Sequence, residues 1–428
     1  CGITVTTPSF DKNGALPTKH LAICLSLALL LLSTALSPPV NAEIYADDQL
    51  QITGFATFGA SRYDEFNDSQ VDKNQLVYRD IDQDWSFRPD SKLGLQANYT
   101  LNNLFSFAAQ TVAQGYSWDP DVNKFEPQVE WLFGSYQHEP NTRFRLGRLR
   151  TPLYLYSDTL QVGYSYTWAR LPTDMYSPVV SSFSNYDGAD VMHLINFAES
   201  EMELQAFIGA TEGDVNQINM DHELLFGSYL TYRWNNLKVR YGFTFTRTDV
   251  SISSLDPIIA GYQQFADATG ESIFQELSDS HRTENGWFQY HALGIQSDID
   301  NWSLITEAYA LIGEDKDVSN DVYGTYVSAV YQFDKFVPYL TLSYNNNNFA
   351  GEIGRLINDS EGIIPTNTIP SLDGLREANK DVVASLSEER FAYIVGVRYD
   401  IFPQVALKLE AQFTFLDNEG PETVPLPQ

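Results

Sequence analysis

From Leu237 to Thr248 the chain alternates strictly. Leu237, Val239, Tyr241, Phe243 and Phe245 are apolar, and Lys238, Arg240, Gly242, Thr244, Thr246 and Thr248 are polar or small. Successive side chains of a strand point to opposite faces, so this segment has one apolar face and one wet face. The same beat runs through Lys92 to Leu101, Phe391 to Asp400 and Gln404 to Phe415. Over the whole chain it predicts strands at about 49–63, 91–101, 104–115, 127–138, 143–155, 186–198, 202–212, 222–234, 237–248, 286–298, 302–312, 321–333, 336–346, 389–400 and 404–416.

The connections alternate between short and long. Asn102-Asn103, Glu139 to Thr142, Glu199 to Glu201, Asn235-Asn236, Ile299 to Asn301, Asp334-Lys335 and Ile401 to Pro403 are tight turns, rich in residues that tolerate turn geometry. The long connections include 64–90, 156–185, 249–285 and 347–388. Alternating segments of about ten residues, with loops sorted by length, predict an all-β fold: a transmembrane antiparallel β-barrel with its apolar face to lipid and its polar face to a lumen. Phe243, Phe245, Leu407, Leu409, Phe413, Tyr393 and Val395 are expected outside, and Lys238, Arg240, Gln96, Asn98, Lys408 and Glu410 inside. Fifteen strands are legible, whereas bacterial barrels have even numbers. The run Asp417-Asn418-Glu419-Gly420-Pro421-Glu422 to Gln428 does not alternate, so the last strand is expected to be missing and a gap or weak contact to mark its place.

Lys19-His20, the apolar run Leu21 to Leu32, the break at Ser37-Pro38-Pro39 and the small-residue site Val40-Asn41-Ala42 predict a signal peptide over 19–42. The apolar run is shorter than the roughly 20 residues of a transmembrane helix. Residues 1–18, opening on Cys1, are expected to be unstructured or a misplaced start, and 43–428 to form the barrel. Cys1 and Cys24 both fall outside that barrel, which excludes disulfides and thiolate chemistry from it. The formal net charge of −30 excludes nucleic acid as a partner. Acids crowd between strands, at Asp64-Glu65, Asp80 to Asp84 and Glu388-Glu389. They read as solvated loops or as divalent-cation bridges to lipopolysaccharide.

The densest basic cluster is Arg143, Arg145, Arg148 and Arg150. Straight alternation aims one pair at lipid, where an arginine at the midplane costs roughly 2–4 kcal/mol. A β-bulge at Gly147 would turn all four into the lumen; otherwise Arg148 and Arg150 lie above the hydrocarbon. The loop that follows carries Asp158, Tyr164, Trp168, Arg170 and Asp174, and is too apolar to be freely solvated. Folding inward against the wall would satisfy it and narrow the lumen.

With Gly147-Arg148 through Pro152, then Asp158, Val162-Gly163-Tyr164 and Trp168, the chain resembles the trimeric sixteen-stranded Gram-negative outer-membrane porins, in a divergent or substrate-preferring branch. The resemblance implies a homotrimer in the outer membrane whose third loop folds into each lumen. It also implies passive diffusion of small hydrophilic solutes and ions past a transverse field between wall arginines and loop carboxylates. Lys92, Lys238, Arg240, Arg398 and Lys408 would add positive lumen charge and Glu130, Glu307 and Glu410 would oppose it, with a weak anion preference as the result. No cofactor, metal or catalytic residue is expected. His20, His138, His193, His222, His281 and His291 stand in no local nucleophile signature. The rival readings are an outer-membrane hydrolase and an adhesive barrel acting through its acidic loops.

Overall fold

A computed structural model describes residues 2–6, 43–62, 85–115, 125–176, 182–215, 218–313, 321–347, 351–386 and 388–417. The expected signal segment, the acidic runs at 64–65 and 80–84 and everything after Asp417 lie outside the described residues. The strands are β1 (Gly2–Thr6), β2 (Glu43–Ala46), β3 (Leu50–Thr57), β4 (Gly59–Arg62), β5 (Lys92–Thr100), β6 (Phe105–Gln114), β7 (Pro127–Glu139), β8 (Thr142–Arg150) and β9 (Asn185–Asn196). They continue as β10 (Ser200–Val215), β11 (Ile218–Trp234), β12 (Leu237–Ile252), β13 (Thr283–Ile299), β14 (Trp302–Ile312), β15 (Val322–Tyr331), β16 (Phe336–Asn347), β17 (Glu388–Phe402) and β18 (Val405–Asp417).

All eighteen belong to one sheet. From β3 to β18 each wall strand pairs antiparallel with the next in sequence, β3 and β4 being two halves of one wall strand. The result is fifteen antiparallel wall positions, with a sixteenth at the seam between β18 and β3–β4. An odd meander leaves its two edges running in the same direction, so whatever enters the seam has the same relation to both. β1 enters it, parallel to β18 (Gly2↔Lys408) and to β4 (Gly2↔Gly59), while β2 pairs antiparallel with β3. Gly2–Thr6, which the sequence left without a strand, are the five-residue strand that makes the weak contact expected at the seam, because an open edge presents unpaired N–H and C=O groups that take any available partner.

The turn chemistry follows the sequence. Two-residue hairpins need positive φ, and Asn235 (φ 48°), Asp300 (φ 53°) and Asp334 (φ 51°) supply it at three of them. One expectation on loop length fails. β10 and β11 stay paired to Val215↔Ile218, so residues 216 and 217 alone join them on the side of the long loops.

Facing obeys the alternation. Leu93, Leu95, Leu132, Leu146, Leu293, Leu340, Leu342, Val395 and Leu409 are exposed on the outer surface. At the end of the short turns, aromatic residues cluster on that surface: Phe105 with Tyr136 (5.3 Å), Trp302 with Tyr331 (4.8 Å) and Phe336 with Tyr399 (4.6 Å). At the other end stand Tyr393 with Phe413 (4.8 Å) and Phe226 with Phe245 (5.5 Å). Holding so many large apolar side chains in water would cost on the order of tens of kcal/mol; an aliphatic band between two aromatic girdles belongs in a bilayer.

The long connections 249–285 and 347–388 carry four helices that the sequence reading did not identify: α1 (Asp256–Thr269), α2 (Ser272–Asp279), α3 (Gly351–Ile363) and α4 (Pro370–Leu386). Ile258, Ile259, Tyr262, Ile273, Phe274, Leu277, Ile353, Leu356, Ile357 and Leu372 close into a core of their own, seated on Ile218, Met220 and Ile252 at the tops of β11 and β12. Their sequence signals have a period of 3.6 rather than 2, and Gly270 (φ 74°) closes α1 in the left-handed conformation that an L side chain resists.

Candidate constriction of the lumen

The described parts of the connection after β8, residues 151–176 and 182–184, fold against the inside of the wall, as the apolar content of this loop predicts. Trp168 is 0% exposed. Its ring meets Tyr326 (5.5 Å) and Tyr339 (6.5 Å) edge-on, and its Nε1 donates to Thr341 Oγ1 (2.8 Å). Leu153, Tyr154, Leu171, Met175 and Phe183 join it in one core with the inward aromatic residues of β10–β17.

Charges fasten the loop. Lys408 Nζ donates to the carbonyls of Gly163 (2.5 Å), Tyr166 (2.7 Å) and Trp168 (2.7 Å). Arg398 donates to the carbonyls of Tyr164 (2.8 Å) and Tyr166 (3.1 Å) and lies over the Tyr164 ring. Glu410 accepts from the Ala169 amide (3.1 Å) and the Tyr339 hydroxyl (2.7 Å). Glu307 accepts from the Leu155 amide (2.7 Å) and from the hydroxyls of Tyr176 (2.6 Å) and Tyr326 (2.8 Å). Arg170 forks onto Asp90 (2.9 and 2.8 Å), and buried Asp174 takes both Arg390 and the Ser343 hydroxyl. Burial raises the phenols of Tyr166 and Tyr176 above their ordinary range, with Asp90 and Glu307 respectively adding to it, so both stay neutral.

These contacts put Lys408 and Glu410, expected to line the pore, and Trp168, Arg170 and Asp174, expected in the constricting loop, between the loop and the wall. Lys408, Glu410, Trp168, Arg170 and Asp174 are fasteners of the loop rather than groups facing open water, because each carries a fixed partner under the loop. The arginine ladder also divides. Arg145 points inward and is bidentate on Asp190 (2.9 and 2.5 Å), which also accepts from Gln205 (2.8 Å) and Tyr186 (3.2 Å). Arg150 is buried against Glu130, which Gln161 (3.2 Å) and Asn185 (3.3 Å) also reach. Arg143 bonds Gln137 Oε1 (3.1 Å) near the turn end.

Arg148 faces outward, contrary to the bulged ladder. Pairing with β7 and β9 runs through Gly147 without a register shift, so alternation is kept. Gly147 serves another purpose there: its φ is 136°, and a Cβ would lie 2.2 Å from the Leu132 carbonyl oxygen. Arg148 pairs with its register partner Asp187 (2.9 and 2.7 Å) on the outer surface.

Lys92 donates to Gln161 Oε1 (3.3 Å). Lys238 and Arg240 lie inward on β12, and neither donates a hydrogen bond or forms an ion pair among the described residues. Asp158 sits exposed on the short turn Ser157–Thr159, close enough to act electrostatically on both Arg145 and Lys238. Tyr164 is exposed beside it in the loop. The inward side chains of β5–β8 that the loop leaves uncovered are polar: Gln96, Asn98, Ser106 and Arg145. Sequence reading missed Asp90, Asp190 and Arg390. Alternation puts Asp190 and Arg390 on inward faces, but their partners come from non-consecutive segments.

One further contact bears on chemistry. His222 Nε2 lies 3.2 Å from Ser182 Oγ, and its Nδ1 meets Thr248 Oγ1 (2.8 Å). The group behind the imidazole is a hydroxyl and not a carboxylate, and His222 is 2% exposed, so the arrangement is a buried polar knot. Among the described residues no cluster of three or more His, Cys, Asp or Glu could hold a metal.

No family model and no curated protein matches the sequence. Solved structures do. A loop-deletion mutant of OmpT, an outer-membrane protein of Vibrio cholerae, matches at 13% identity and TM-score 0.43, over 86% of this chain and 92% of that one. Salmonella typhi OmpF in complex with daunomycin matches at 12% and 0.43, over 87% and 100%. Pseudomonas putida OprB matches at 11% and 0.49, over 88% and 90%. At these values the likeness concerns fold alone, and the class rests on this chain's own wall. One sheet with fifteen antiparallel wall positions, a lipid-facing apolar band and an inward third loop define an integral outer-membrane β-barrel, since only helices and barrels satisfy the backbone groups in a bilayer and no described helix is long and apolar enough to cross one.

Proposed function

We propose that the protein is a non-enzymatic porin, passing small hydrophilic solutes and ions by passive diffusion with a weak preference for anions. The observation that carries this is the loop clamped inside the barrel on one side, facing the polar inner wall of β5–β8 on the other. A structural or adhesive barrel gains nothing from an internal loop held by six separate charged fasteners. The anion preference rests on Lys238 and Arg240, since the inward arginines 145, 150, 170, 390 and 398 are each paired with a carboxylate. Purified protein in a planar bilayer should conduct, with a reversal potential in asymmetric KCl displaced toward chloride. A silent bilayer, or cleavage of lipid or peptide substrates by the same preparation, would refute the reading.

A homotrimer accompanies this reading. The Arg148–Asp187 pair sits on the outer surface, its side chains 44% and 58% exposed in the single chain, between exposed Leu132 and Leu146. Charges facing hydrocarbon are costly and charges facing another subunit are not, so this surface of β7–β9 fits a contact between copies. The acidic loops, in turn, would meet lipopolysaccharide through divalent cations. Sensitivity of the detergent-extracted species to a chelator tests that contact.

A further inference from the structure

We propose that Lys238 and Arg240 form a subsite for a small monocarboxylate solute on the lumenal face of β12. The inference rests on the pore reading and names a solute class for it. Arg240 is 8% exposed, and its Nε is buried with no hydrogen-bond partner. Its guanidinium lies over the Tyr229 ring, 5.5 Å from the centroid, and Leu155 of the loop packs on Gly294, its register partner on β13. The other buried inward arginines, 150 and 390, have carboxylates on them. A guanidinium held under a loop without one is costly unless something else supplies the acceptor.

Lys238 stands two residues away on the same face, half-exposed, and nothing among the described residues bonds its ammonium. The site is thus a planar fork set against an aromatic and an aliphatic side chain, with a flexible point charge at the more open end. A guanidinium fork matches a carboxylate in plane and spacing, and a short apolar tail would lie along Tyr229 and Leu155. The charge of the ligand follows from the surroundings. Asp158 and Glu307 both act on Lys238, and Glu307 acts on Arg240. Two cations facing two nearby acids favour a monoanion and repel a second negative charge.

The test compares sodium acetate, sodium chloride and sodium phosphate as conducting salts across bilayers holding the full chain. Wild type should saturate in acetate at a concentration about tenfold below chloride. Arg240→Gln should abolish that difference, and Arg240→Lys, which keeps the charge and loses the fork, should abolish most of it. Equal saturation in acetate and chloride, or an unchanged difference in Arg240→Gln, overturns the subsite. Phosphate saturating as early as acetate overturns the monocarboxylate class. Fluorine NMR of trifluoroacetate with the detergent-solubilised protein reads binding without conduction: broadening in wild type that is lost in Lys238→Gln supports the site, and its absence from wild type overturns it. A protein that does not conduct but broadens the probe would refute the pore and leave the subsite standing.

Discussion

Replacing Asp174 by alanine should free the distal arm of the lumen loop while leaving the barrel intact. Asp174 is 1% exposed and is held by Arg390, itself 2% exposed, and by the Ser343 hydroxyl. Removing Asp174 takes this carboxylate away from the buried Arg390, and breaking a buried pair costs roughly 3–5 kcal/mol. Opposing release are Trp168, Leu171 and Met175, each contributing about 1.5–3 kcal/mol by burial, and the Lys408 and Glu410 anchors upstream. Those hold the first half of the loop, so the loss falls on the stretch after Leu171. A destabilisation of that size raises its open population by roughly 10²-fold to several thousandfold. Hydrogen exchange of the protein in lipid reads this directly, because the amides of Met175 and Tyr176 donate to the Pro172 carbonyl (3.1 and 3.0 Å) and exchange only when the arm opens. Single-channel records should show added open-state noise. Changing both partners to apolar residues, Asp174→Leu with Arg390→Met, should recover most of the protection, since no buried charge is then left unpaired. Exchange in the alanine variant within about threefold of wild type would refute the clamp, as that corresponds to well under 1 kcal/mol.

Selectivity should follow position and not basic density: Lys238→Gln with Arg240→Gln should move the reversal potential toward cations, and Arg148→Gln should leave it unchanged, because Arg148 faces outward. Arg148→Ala or Asp187→Ala should weaken the oligomer in native-gel or cross-linking assays, while the double change should restore part of it, each single change leaving one charge unpaired against apolar surface. The helical cap should lose stability in mild acid. Burial holds His281 below its ordinary value of 6.5, partly offset by Asn379 and by the Leu277 carbonyl. The folded cap therefore binds fewer protons than the unfolded one, so its stability is full above about pH 6.5 and falls as pH drops below it. Exchange of α1 and α2 amides should accelerate from pH 7 to 5, and His281→Gln should flatten that dependence.

The wall was legible because its signal is local. Alternation, set by the pleat, put Phe243, Leu409 and Val395 outside and Lys408, Glu410 and Arg240 inside. The turns then fixed neighbours: Asn235-Asn236 dictates Trp234↔Leu237, and the pairs as far as Leu224↔Arg247 follow by counting, until a bulge at Glu223 shifts the register. The same counting fails between β8 and β9. They are joined by the whole lumen loop, so no turn sets their register, and the facing of Arg145 with Asp190 and of Arg148 with Asp187 could not be read. The cap was missed for a different reason. Ile258, Ile259, Tyr262 and Phe265 carry a helical period in a chain read for period two, and the Asp256-Pro257 start and Gly270 stop were available as signals.

The pairing of charges in the lumen separates two properties that a basic ladder would combine. Arg150, Arg170 and Arg390 spend their charge on carboxylates that hold the loop or its root, so their contribution to the long-range potential is small while their contribution to loop position is large. Lys238 and Arg240 do the reverse. They hold nothing among the described residues, and Lys238 lies within electrostatic reach of Asp158 on the loop. Neutralising a fastener should therefore widen or destabilise the passage before it alters ion preference, and neutralising the β12 pair should alter preference first. The count of arginines in a strand thus says little about selectivity in this barrel; what matters is which of them lack a carboxylate, and that depends on register partners brought together by the long loops.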